Sequence, residues 1–111
     1  MIKVIFCDLD DTLLIPKKKD VKITDIEAIR RWLERGNQFV IATARHHTFL
    51  NKITDKMGDF DFDYIGWNGA EIVLKQKTVK LLPFTKNDVI DIYRNMEKFK
   101  MYIKATNINN E

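Results

Sequence analysis

Cysteine occurs once in the 111 residues, at Cys7. A lone thiol closes no disulfide within the chain, which suits a reducing compartment. Inside an apolar strand it reads as a structural thiol rather than a nucleophile. Proline occurs twice and glycine four times, too few for a linker-rich or low-complexity chain. No apolar run approaches the ~20 residues of a membrane span. The first run, Ile2 to Cys7, breaks into acids rather than into a signal-peptide cleavage site. A soluble, cytoplasmic protein with no membrane contact is expected. A strong charge of one sign is also missing, since 19 Lys and Arg against 16 Asp and Glu leave a formal +3. The aromatic residues fall mostly at apolar-periodic positions, so no nucleic-acid surface is expected. The mild positive balance would suit a small anionic ligand. What remains is an ordinary globular composition, 45% hydrophobic and 32% charged, sized for one domain or part of one.

The chain is organised around its opening stretch, IKVIFCDLDDTLL. An apolar, partly β-branched run without Gly or Pro predicts a buried parallel strand. It ends on Asp8, Asp10, Asp11 and Thr12. Ligands of open α/β sheets gather outside the carboxyl ends of the strands. Neighbouring carboxylates there repel, and call for a cation or a division of labour between them. The plainer alternative is an acidic turn closing a strand. Pro16 then interrupts regular structure, and Lys17-Lys18-Lys19 reads as a solvated loop able to draw in an anion.

Thr24-Asp25-Ile26-Glu27 has the spacing of a capping box, and Ile26, Ile29 and Leu33 continue at helical period to a stop at Gly36. Trp32 flanks that stripe and reads as packing. Gln38 to Ala42 is a second strand, and the strand–helix–strand spacing fits a parallel crossover. It ends Thr43-Ala44-Arg45-His46-His47. Thr43 can serve as a helix N-cap. The histidines have no metal-ligand spacing around them and read as solvated, at most lining an entrance. A second helix is expected from about His46 to Met57, and a third strand at Tyr64 to Gly66. Asn68-Gly69 signals a tight turn. Ile72 to Leu74 and Thr78 to Leu82 predict a hairpin about Lys75-Gln76-Lys77. Thr85 with Asp88 caps a further helix, and Lys100 to Ala105 alternates like a strand. No internal repeat is present.

Asp8-Leu9-Asp10-Asp11-Thr12 after an apolar strand resembles the first motif of the haloacid dehalogenase superfamily. Thr43-Ala44-Arg45 resembles the second motif in its Cof-like, sugar-phosphatase branch, with Ala44 where Gly is commoner. Asn68-Gly69-Ala70-Glu71-Ile72 is similar to the segment of that branch where the chain leaves for a cap domain. The resemblance implies an α/β, Rossmann-like parallel three-layer core, incomplete, over residues 1–70. Residues 71–111 would begin an α+β cap with a hairpin, a helix and a strand. It implies a Mg2+-dependent phosphohydrolase acting on a small phosphorylated metabolite through an aspartyl-phosphate. Asp8 would be the nucleophile and Asp10 the acid and base. Asp8 and the Asp10 carbonyl would hold Mg2+, Thr12 would steady the loop, and Thr43, Asn68 and Arg45 would face the phosphate.

Two further family motifs, a Lys or Arg beside the nucleophile and an acidic Gly-Asp cluster, have no match after Asn68. The resemblance covers about the first two-fifths of a family member, so weak activity of these residues alone is expected. Without the later strands the edge of the first strand would be open and could form a homodimer. A non-catalytic remnant that binds a phosphorylated ligand or a protein is one alternative. A receiver-like phosphoacceptor is another, although Tyr64-Ile65-Gly66-Trp67 lacks the Asp it needs.

Overall fold

The computed structural model of the protein describes residues 1–18, 20–47, 49–50, 57, 62–102, 105 and 107. Two compact units are present, Met1–Leu81 and Leu82–Glu111.

The first unit is built on a five-stranded sheet of β1 (Val4–Asp8), β2 (Gln38–Ala42), β3 (Asp63–Gly66), β4 (Glu71–Leu74) and β5 (Lys77–Leu81), lying side by side in chain order. β1, β2 and β3 run parallel, while β3–β4 and β4–β5 are antiparallel. The β1–β2 crossover carries helix α1 (Ile23–Glu34), as a parallel connection requires. This is the Rossmann-like arrangement expected, in the form of a mixed sheet.

Register decides which side chains meet. Cys7 pairs with Ile41, Ile41 with Tyr64, and Tyr64 with Val73, so these four share one face. Against that face pack Ile26, Ile29, Trp32 and Leu33 of α1, with Leu50 and Met57 from the segment after β2. Leu9, Leu13, Leu14 and Val21 close the core near the end of β1. Trp32 packs as expected and also donates its indole N–H to the Gln38 carbonyl at 2.8 Å.

β1 is not the buried strand that its composition predicts. It lies at the sheet edge, and Val4, Ile5 and Phe6 are exposed. An edge strand has a neighbour on one side only; across the register Phe6 is exposed, while its partner Val40 on β2 is buried.

The cap of α1 also differs from expectation. Lys22, not Thr24, is the N-cap, and it makes no side-chain cap. The chain enters this helix from a bridge between Leu14 and Val21, with Ile15 N–H on the Asp20 carbonyl at 2.8 Å. That constraint starts the helix before the Thr24–Glu27 spacing can act. Of the expected second helix, His47, Phe49, Leu50 and Met57 are helical, and its remaining residues beyond His46 lie outside the described ones. The hairpin turns on two residues rather than three: Lys75 and Gln76, at φ 48° and 62°. Positive φ at both central positions is the geometry that matches strand twist.

In the second unit, α2 (Lys86–Glu97) has the predicted capping box. Asp88 N–H donates to Thr85 Oγ1 at 3.1 Å, and Thr85 N–H to Asp88 Oδ2 at 2.8 Å. The strand expected at Lys100–Ala105 does not form over its first residues. Phe99 and Lys100 amides close the helix end on the Met96 and Glu97 carbonyls, and Lys100 takes φ 50°. Met101 and Tyr102 pair with no strand, and Ile103 and Lys104 lie outside the described residues.

Candidate active site

The carboxyl ends of β1, β2 and β3 lie side by side. Asp8 pairs with Ala42, and Ala42 with Ile65, so Asp8, Thr43 and the Trp67–Gly69 turn leave the same end of the sheet. The sequence motifs, far apart along the chain, are thus brought to one rim.

After β1 the chain makes one wide turn, Leu9–Leu13, closed by Leu14 N–H on the Leu9 carbonyl at 2.8 Å. Leu9 and Leu13 are buried and anchor the turn, which leaves Asp8, Asp11 and Thr12 exposed and Asp10 partly so. Asp11 sits at φ 58°, a left-handed conformation that Asp tolerates better than most residues. Thr12 Oγ1 donates to Asp8 Oδ2 at 3.1 Å and holds that carboxylate. The Asp8 carboxylate and the Asp10 carbonyl are oxygen donors of the kind a hard divalent cation takes.

Thr43 is buried and stitched on three sides. Its N–H donates to the Ile65 carbonyl at 2.8 Å, and its carbonyl accepts from Asn68 N–H at 3.3 Å. Its hydroxyl oxygen accepts from Arg45 N–H at 3.2 Å, leaving the hydroxyl proton to donate. Asn68 takes φ 53° in a turn where Trp67 and Gly69 are also positive, and Trp67 N–H donates to the Arg45 carbonyl at 3.2 Å.

Arg45 does not present its fork outward for a phosphate. Its Nε and Nη2 donate to the two oxygens of Asp10, each at 2.7 Å. The guanidinium lies 3.7 Å from the Phe49 ring centroid, in cation–π range. The hydrogen bond to Asp10 pushes the Arg45 pKa higher still. The loops after β1 and β2 are therefore joined through Asp10 and Arg45.

A second polar group, not anticipated from the sequence, lies on the core face beside this loop. Glu71 is only 2% exposed. Its Oε2 accepts from Tyr64 OH at 2.7 Å, and its Oε1 lies 2.9 Å from His47 Nδ1. Burial, then Glu71, drives the tyrosine pKa upward. The histidines are not the solvated pair expected. His46 is buried and stacked on Trp67 at 4.5 Å, and only His47 is partly exposed. Burial, then His47, holds the His46 pKa below its ordinary value, against the pull of Glu71. The available signal was a Glu at the head of the apolar run Glu71-Ile72-Val73-Leu74. Cys7 is half-buried, and burial followed by Asp8 raises its thiol pKa, which suits a structural thiol.

Comparison with known proteins agrees with this geometry. The family model of haloacid dehalogenase-like hydrolases matches residues 5–110. A putative phosphatase of Buchnera aphidicola subsp. Schizaphis graminum is 39% identical over 72 residues, which are 65% of this chain and 26% of that protein. The pyridoxal phosphate phosphatase YbhA of Escherichia coli (strain K12) is 47% identical over 49 residues, 44% of this chain and 18% of that protein. Among solved structures, the phosphatase BT1666 of Bacteroides thetaiotaomicron superposes with a TM-score of 0.75 at 29% identity, covering 90% of this chain and 37% of that one. The chain thus spans well under half the length of these relatives. Its fold, its motif order and the family match agree: the chain belongs to the haloacid dehalogenase-like hydrolases, in their Cof-like branch, and spans the amino-terminal portion of such a protein.

Proposed function

We propose that the protein is a Mg2+-dependent phosphatase acting on a small phosphorylated metabolite. Asp8 attacks phosphorus in line and the ester P–O bond breaks; Asp10, turned away from Arg45 and protonated, gives its proton to the departing oxygen. Asp10 then takes a proton from water, whose oxygen attacks the phosphorus of the aspartyl-phosphate and frees Asp8. The products are the alcohol and inorganic phosphate. Thr12 keeps Asp8 aimed, while the Thr43 hydroxyl and Asn68 hold the phosphoryl oxygens. Arg45 reaches the same end of the sheet but acts first on Asp10. The Asp8 carboxylate and Asp10 carbonyl would hold Mg2+, as hard oxygen donors do. When bound, the ion offsets the repulsion between Asp8 and the phosphate.

The observation that carries this reading is the convergence of Asp8, Asp10 and Thr43 on one rim, with the two loops tied by Arg45. The 111 residues carry neither a cation in the third-motif setting nor a following Gly-Asp cluster. Phosphoryl transfer rests on positioning and charge stabilisation, so this stretch alone is a weak catalyst and a chain supplying both is a strong one. The cap that the resemblance starts at residue 71 begins on this reading at Leu82, since β4 and β5 belong to the sheet of the first unit; the β1 edge pairs with a second copy, and the site of action is the cytoplasm.

The test is release of inorganic phosphate from a panel that includes pyridoxal 5′-phosphate and hexose phosphates, with Mg2+ and with a chelator. Turnover that needs Mg2+ and disappears in Asp8→Asn is expected. Turnover unchanged in Asp8→Asn would remove the nucleophile assignment, and saturable phosphate binding without turnover would favour the remnant.

A further inference from the structure

We propose that His46, His47 and Glu71 form a binding site for one divalent transition-metal ion of the Zn2+ class, distinct from the oxygen-only site at Asp8 and Asp10. His46 Nε2 lies 3.8 Å from Glu71 Oε2, and His47 Nδ1 lies 2.9 Å from Glu71 Oε1. One donor atom from each of the three residues lies within 4.8 Å of the other two. Ligand atoms about 2.0–2.2 Å from a shared ion stand about 3–4 Å apart, so small side-chain adjustments close the triad. Two imidazoles and one carboxylate select Zn2+, Co2+ or Ni2+ over Mg2+, which prefers oxygen alone.

The surroundings resemble those of a metal ligand set. Tyr64 OH donates to Glu71 Oε2 at 2.7 Å and orients the carboxylate, as outer-shell donors do. His46 stacks on Trp67 with ring centroids 4.5 Å apart, which holds its imidazole plane in place. Glu71 is the negative charge in a buried setting, and an ion would compensate it more fully than the His47 hydrogen bond does. His47 is 40% exposed, which provides an entry path and room for a water ligand. With Nδ1 on the ion, the His47 ring proton would sit on Nε2. His46 comes from the loop after β2, His47 from the helical residue that follows it, and Glu71 from the start of β4, so binding would clamp the segment that carries Thr43 and Arg45. It would stabilise the fold by mass action.

The experiment is a titration of the full chain with Co2+, read by visible ligand-field absorption, and with Zn2+, read calorimetrically, both in excess Mg2+. One saturable site is expected, unaffected by Asp8→Asn and weakened at least tenfold by His47→Ala and by Glu71→Gln. His47→Ala alters a partly exposed side chain and serves if Glu71→Gln does not fold, as circular dichroism would report. Thermal unfolding should move upward with Zn2+ in the wild type and stay unmoved in His47→Ala. No saturable binding would overturn the proposal. So would equal binding by His47→Ala, or loss of the site in Asp8→Asn or under Mg2+. None of these readouts depends on phosphatase activity.

Discussion

Arg45 places a hydrogen bond of 2.7 Å on each oxygen of Asp10, although the two residues are 35 positions apart. This two-pronged contact joins the turn after β1 to the loop after β2, and so joins the first motif to the second. On the proposed function, Arg45 would position Asp10 before it meets a phosphate.

Both partners are partly exposed, so the contact adds little to stability, about 1 kcal/mol or less. Arg45→Ala should leave the denaturant midpoint nearly unchanged yet lower phosphate-ester turnover at least tenfold. Arg45→Lys, with one point charge and no fork, should recover only part. Parallel urea titrations and kcat measurements check this, and equal losses in both would contradict it.

Tyr64 reaches Glu71 by crossing over Gly66, because Gly66 pairs with Glu71 and Tyr64 with Val73 on the same face. A Cβ at Gly66 would collide with the Tyr64 ring. Gly66→Ala should therefore cost about 1–3 kcal/mol through overpacking. Gly36→Ala meets no neighbour but must hold φ +74°, at a cost of about 1 kcal/mol. Urea unfolding of both variants gives the comparison.

Tyr64→Phe removes the donor to a buried carboxylate oxygen. The expected loss is about 1–3 kcal/mol. With Glu71→Gln in a double-mutant cycle, the two changes should be clearly non-additive. Additive losses would show that the contact carries no coupling.

The carboxyl group of Asp88 titrates below its ordinary value because the Thr85 hydroxyl, then the Thr85 amide, hydrogen-bond to it. The unfolded chain therefore takes up that proton at a higher pH than the folded one. The stabilisation is present above the ordinary carboxylate pKa of about 4 and is lost as pH falls through the folded value. Relative to the intrinsic amide rate at each pH, exchange in 86–97 should accelerate in acid in the wild type. In Asp88→Asn it should be faster at neutral pH and show less of this acid dependence.

The placements in the candidate site that were legible in the sequence are those set by short-range chemistry. Asp8, Asp10 and Thr12 share one turn, and Thr43 follows directly on its strand, so neighbouring residues suffice to find them. The Thr85–Asp88 cap is local for the same reason. Glu71 was hidden because Tyr64 reaches it through the β3–β4 register and His47 from the segment after β2, and pattern alone specifies neither. The exposure of β1 was hidden because a buried parallel strand and an edge strand share one composition, and only the neighbours distinguish them. Thr24 failed as a cap because the Leu14–Val21 bridge started the helix earlier. Arg45 was located at the right end of the sheet, but its engagement with Asp10 is tertiary.

The most direct test of the account is to look for the phosphoryl group on Asp8 itself. The full chain is incubated with acetyl phosphate and Mg2+, quenched in acid, digested and mapped by mass spectrometry. The account predicts an alkali-labile phosphoryl group on the peptide containing Asp8, absent from Asp8→Asn and accumulating in Asp10→Asn, where the second proton transfer fails. A phosphoryl group on any other residue, or its persistence in Asp8→Asn, would contradict it.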